Sequence, residues 1–187
     1  MGYFNPSPNA VSYDDANGLF FNGLTPLKID GSWLVADILD NAVDPEAIGF
    51  GILPSMAPGV PIQAAAGLGS AWSVSAKTIH PEEALKLIDW LISPANAPRW
   101  VVEGSVVPTT PVDASTLDVH PLTRQVLAGL PLAIAYNLDV VLPANVNEVT
   151  LNGIQAMLAG RLTPSELANE IQAAWTEAKA AGTILRR

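Results

Sequence analysis

Leu27-Lys28-Ile29-Asp30-Gly31-Ser32-Trp33-Leu34-Val35-Ala36-Asp37-Ile38-Leu39 carries the first reading of this chain. Leu27 to Asp30 alternates apolar with polar and predicts a short strand; Gly31-Ser32 turns the chain; Trp33 to Leu39 predicts a helix with Ser32 as its cap. A strand, glycine turn and helix in succession is the repeating unit of an α/β protein. Upstream, Asn5-Pro6-Ser7-Pro8-Asn9 is turn-rich, and Asp14 to Gly23 predicts a short helix with two acids at its start and a glycine at its end. Downstream, Ile48 to Leu53 ends at Pro54 and reads as a buried strand, Pro54 to Pro61 as a surface loop, and Ser70 to Ser75 as a further strand.

His80-Pro81-Glu82-Glu83 opens the clearest helix, with Ala84, Leu85, Leu87, Ile88, Leu91 and Ile92 as a wide apolar stripe and Ser93-Pro94 as its stop. Pro98 to Val102 predicts a second short helix ended by Gly104, and Val106 to Thr110 leaves it in extended form. Helices follow at Pro121 to Leu130, from about Asn145 to Leu158, and at Pro164 to Ala180, with Leu138 to Val141 as a strand. Thr163-Pro164-Ser165-Glu166 is a capping box and Gly182 a C-terminal stop for the last helix, whose apolar face is Leu167, Ala168, Ile171, Ala174, Trp175 and Ala178.

The length of 187 residues suits one ordinary domain. Hydrophobic residues make up 49% and charged ones 14%, so there is apolar surface enough for a core. Nine Lys+Arg against eighteen Asp+Glu give a net charge of −9, the wrong sign for phosphates or anionic lipid, and nucleic acid is excluded as a partner. The absence of cysteine excludes a disulfide framework, a thiolate nucleophile and a thiolate metal site. Ala47 to Ala76 is uncharged, but Pro54, Pro58 and Pro61 interrupt it, which predicts buried strand and loop and not a membrane span. Met1 to Pro6 goes directly into turn formers without a signal-peptide pattern, and Pro6 stands where a myristoylation signal needs Ser or Thr.

Catalytic chemistry has little to work with. His80 and His120 each precede proline and read as capping or turn residues. Gly49-Phe50-Gly51 and Gly67-Leu68-Gly69 lack the third glycine of a dinucleotide fingerprint, and no Gly-x-Ser-x-Gly elbow occurs. Asp14/Asp15 and Glu82/Glu83 sit at helix starts, where the helix dipole accounts for them, so a two-carboxylate glycosidase is the least favoured reading. No catalytic residue, metal ligand or cofactor is assigned. Tryptophan is the distinctive residue, with five copies. Trp90, Trp100 and Trp175 fall on apolar helix faces and predict core. Trp33 and Trp72 each follow a Gly/Ser turn at an element boundary, where an indole can stack on the apolar face of a sugar ring or be buried as further core; the residues alone leave both open.

The order Asp14-Asp15-Ala16, Leu27 to Trp33, Gly49 to Pro54, Gly67-Leu68-Gly69-Ser70-Ala71-Trp72-Ser73-Val74-Ser75, Pro81-Glu82-Glu83-Ala84 and Val107-Pro108 resembles the family 1 extracellular solute-binding proteins of ABC importers, which include maltose- and other sugar-binding proteins. The closing Asn152 to Gly160 and Leu162 to Leu167 resemble that family's C-terminus. The resemblance implies a periplasmic-binding-protein-like type II fold of α/β class, with the solute held between two lobes and closure read by a membrane permease. It implies that residues 1–54 belong to the second lobe, 64–110 cross to the first, and 111–187 return. It implies a sugar stacked on Trp33, bordered by Gly67, Gly69, Ser70, Trp72 and Tyr136, in an extracytoplasmic, non-enzymatic binding protein. It also implies that the sequence corresponds to the C-terminal portion of such a protein, binding sugar weakly or not at all alone and associating with an N-terminal lobe or a second copy. A non-binding assembly module on the same fold is the alternative.

Overall fold

The capping box at Thr163 forms. The Thr163 amide donates to Glu166 Oε2 at 2.8 Å and the Glu166 amide to Thr163 Oγ1 at 3.3 Å, which satisfies two of the donors left open at a helix start. The helix it opens is the last in a chain whose computed structural model describes residues 4–55, 57–67 and 71–184. In order the helices are α1 (Tyr13–Phe21), α2 (Leu34–Asn41), α3 (Pro81–Leu91), α4 (Ala97–Gly104), α5 (Pro121–Gly129), α6 (Leu138–Val141), α7 (Ala144–Leu158) and α8 (Pro164–Ala180). Among the described residues the only sheet pairs β1 (Ala65–Ala66) with β2 (Ala135–Tyr136). With about 53% helix and so little strand, the α/β expectation fits only loosely.

The chain divides into two compact units, Met1–Ala16 with Tyr136–Arg187, and Asn17–Ala135. In the first, α7 and α8 pack together over buried Val146, Ala174 and Ala178, with Leu142, Val149, Ile171, Trp175 and Ile184 against them. A Cβ on Gly153 would overlap Leu167 Cδ1, so the missing side chain is what lets α8 approach α7. The turn Pro8–Ala10 rests on α7, where Asn9 Nδ2 donates to the Gln155 carbonyl at 2.8 Å. The face read for α8 holds except at Ala168, which is exposed.

In the second unit Leu34, Val35 and Ile38 of α2 bury against Leu122 and Val126 of α5, flanked by Phe20, Phe21, Leu39, Ala42, Ile48 and Val107. Each such aliphatic side chain taken from water contributes about 1.5–3 kcal/mol. At the start of α5, His120 Nδ1 accepts the Leu122 amide at 3.1 Å while its Nε2 lies 2.9 Å from Glu46 Oε1, so this histidine is a cap. His80 makes no side-chain cap at α3. Gly23 takes φ +69 after α1 and Gly182 φ +69 after α8, the left-handed stops their positions predicted.

Several predicted elements are corrected. Leu27 to Asp30 forms no strand, and its alternation is inverted: Leu27 and Ile29 are 85% and 77% exposed, while the Lys28 and Asp30 side chains turn inward as an ion pair. Ser32 does not cap α2; Trp33 occupies the cap position in helical geometry, and the carbonyls of Gly31 and Ser32 accept the amides of Leu34 and Val35. Ile48 to Leu53 is unladdered and largely exposed, held by the Phe50 amide donating to Gln125 Oε1 at 2.8 Å. The described residues of the uncharged stretch around it are correspondingly more exposed than buried. Residues 71–75 form no strand, and Leu138–Val141 is the short helix α6. The common cause is that a strand exists only where a partner supplies a hydrogen-bond ladder, and local alternation cannot provide one.

Candidate functional site

At Leu27 to Trp33 the backbone runs without regular structure into α2, and its polar side chains organise it. Lys28 Nζ lies 2.6 Å from Asp30 Oδ2, with only 12% and 7% of the two side chains accessible. Asp30 Oδ1 also accepts the Gly31 amide at 2.8 Å, which fixes the turn just before the helix. The Trp33 indole folds back onto Gly31 so closely that a Cβ there would collide with the six-membered ring. Trp33 nevertheless stays 65% exposed. A large aromatic face thus lies at the surface beside a buried ion pair. Such a face can hold the apolar side of a flat or ring-shaped solute without any bond chemistry.

Trp72 belongs to the same unit. Its ring meets Trp100 at 6.3 Å between centroids, tilted by 42°, and it is 60% exposed. Gly67 is exposed immediately after β1. Gly69 and Ser70 lie outside the described residues, as does the side chain of Tyr136, whose backbone belongs to β2. Trp33 sits on the turn before α2, and Trp72 meets Trp100 of α4.

Sequence reading missed a second aromatic surface. Trp90, placed in the core by its stripe, is 54% exposed, and with Trp100, Leu91, Arg99 and Glu103 it lines a pocket of about 250 Å³. Arg99 Nε and Nη2 donate to the two Glu103 oxygens at 2.8 and 3.0 Å. That pairing raises the Arg99 pKa and lowers that of Glu103. The i,i+4 spacing of Arg99 and Glu103, next to Trp100 on the same short helix, was the available signal. Trp100 and Trp175 are half-buried.

The other carboxylates with displaced pKa values also move down. Asp113 is held there by the Ser115 hydroxyl and amide, and Glu166 by the Thr163 amide and hydroxyl. A lowered value describes a fixed anion, whereas a proton donor at neutral pH needs the opposite shift. Among the described residues no three potential metal ligands cluster, and no helix is long and apolar enough to cross a membrane.

The turn before α2 thus carries an exposed aromatic face beside a buried ion pair. The chain belongs to the bacterial extracellular solute-binding protein family, whose model matches residues 1–98, just over half its length. Searches of curated proteins and of solved structures gave no match. Membership gives the chain an extracellular solute-binding role in a family that is generally non-enzymatic, with a small-molecule solute and a transporter as the family's general partners.

Proposed function

We propose that the chain captures a carbohydrate-like solute for an ABC importer, outside the cytoplasm, by stacking the ring on Trp33 and hydrogen-bonding its hydroxyls. The observation that carries this reading is the Trp33 indole, 65% exposed and seated against Gly31 in a member of a solute-binding family. Gly67, Gly69 and Ser70 join Trp33 in the proposed ligand set by resemblance. The α/β type II architecture, with residues 1–54 and 111–187 in one lobe and 64–110 crossing to the other, belongs to the same proposal. Binding energy comes from burying the indole face and from hydrogen bonds, and transport is driven by a difference in solute affinity between two states of the protein, which the permease reads.

The test is a tryptophan-fluorescence titration with neutral mono- and oligosaccharides carried to high concentration. A saturable shift with affinity near the millimolar range, ~4 kcal/mol, is expected for stacking on one exposed indole. Trp33→Ala should weaken it about tenfold. Absence of any saccharide response, or a response that Trp33→Ala leaves intact, overturns the Trp33 reading. A second reading, a non-binding assembly module, draws on α3, in which no residue is buried; concentration-dependent association without saccharide response would favour it.

A further inference from the structure

We propose that the pocket between α3 and α4 is a second solute site, separate from Trp33, that takes a single hydroxylated ring of pyranose size. The proposal rests on the carbohydrate reading above and extends it to a different surface. Its first support is preorganisation. The carbonyls at the end of α3 have no intrahelical partners, and side chains from the following segment take them up. Ser93 Oγ and Asn96 Nδ2 donate to the Trp90 carbonyl at 2.8 and 2.6 Å, Trp100 Nε1 to Leu91 at 2.8 Å, and Thr110 Oγ1 to Ile92 at 2.7 Å. Three consecutive carbonyls are thereby fixed by four side chains, which sets the angle at which α4 leaves.

The second support is what this arrangement leaves for a ligand. With its N–H committed to Leu91, Trp100 offers a ring and not a donor, and Trp72 packs against that ring at 6.3 Å. Trp90 is 54% exposed beside it. On the rim, Arg99 and Glu103 hold each other in a two-bond pair whose side chains remain 57% and 60% exposed. A carboxylate has about four lone-pair sites and this one gives two to arginine, so it retains acceptor capacity for a hydroxyl. Aromatic faces next to a paired guanidinium and carboxylate suit a ring with one CH face and an edge of hydroxyls; a purely apolar ligand would desolvate the pair without replacing its water. The pocket, at about 250 Å³, is smaller than the ~300–1,000 Å³ of drug-sized sites, so one ring and not an extended chain is the occupant.

The experiment uses the full chain labelled with fluorotryptophan, its five resonances assigned by single Trp→Phe variants and followed by fluorine NMR. The probes are methyl pyranosides, with cyclohexanol as the apolar control. The expected result is a saturable shift of the Trp90 and Trp100 resonances that survives Trp33→Phe and weakens about tenfold in Glu103→Gln and in Trp90→Phe. Movement of Trp33 with Trp90 and Trp100 silent overturns this site and leaves the proposed function standing. Movement of Trp90 and Trp100 with Trp33 silent supports this site and overturns the Trp33 reading. Silence at all three, or a cyclohexanol response equal to the pyranoside response, overturns the site.

Discussion

At Gly31 a missing side chain governs where an aromatic ring rests. A Cβ there would enter the Trp33 ring, and the indole is the movable partner because it is largely exposed. Gly31→Ala should therefore displace the Trp33 ring while changing stability by less than about 1 kcal/mol, as surface changes do. Near-ultraviolet circular dichroism should change and the thermal midpoint stay within a few degrees; an unchanged aromatic signal would contradict this placement. Lys28 and Asp30 show the limit of local reading at the same scale. Alternation identified the four residues as a unit but put the charges outward, whereas their mutual pairing turns them in and leaves Leu27 and Ile29 exposed.

Helix ends are the elements most faithfully written in the sequence. The Thr163 to Glu166 box, the Pro81 and Pro121 starts and the Gly23 and Gly182 stops all appear where their residues place them, because each depends on contacts within a few positions. The capping box also has a pH signature. Hydrogen bonds from the Thr163 amide and hydroxyl lower the Glu166 pKa in the folded chain. The folded protein thus binds its proton less readily than the unfolded one. The stabilisation is fully present above the unfolded value and is lost as pH falls through the lower folded value. Comparing thermal midpoints of wild type and Glu166→Gln should show a constant difference above about pH 5 that shrinks towards zero below roughly pH 4, the ordinary glutamate range. A difference that grew on acidification would contradict the sign. Strands fared worse than helices, since Ile48 to Leu53 has strand composition but no ladder among the described residues.

For the whole molecule, α3 is the least accounted-for surface. Its stripe is helical as read, yet Leu85 and Leu87 are 55% and 56% exposed, and no residue of the helix is buried. Soluble monomers seldom leave contiguous apolar surface of this kind uncovered. Sedimentation equilibrium should show an average mass that rises above 19.6 kDa with concentration through association with a second copy, and Leu85→Lys with Leu87→Lys should suppress that rise. A monomer at every concentration, with no binding of an apolar dye, would contradict it.

The sequence alone carries most helix positions, the Thr163 box, the glycine stops and the order of motifs that resembles a solute-binding family, because these depend on local chemistry or on residue order; it misplaced the α2 cap at Ser32 and read α6 as a strand. Of the site, it identified Trp33 as a candidate and associated Trp72 with the same ligand. Tertiary structure decided the rest: which tryptophans reach water, that Trp72 pairs with Trp100, that Lys28 and Asp30 turn inward, and that apparent strands remain without partners. Burial and pairing belong to neighbours distant in sequence, and an apolar stripe or an alternating run specifies a surface to be covered without specifying what covers it.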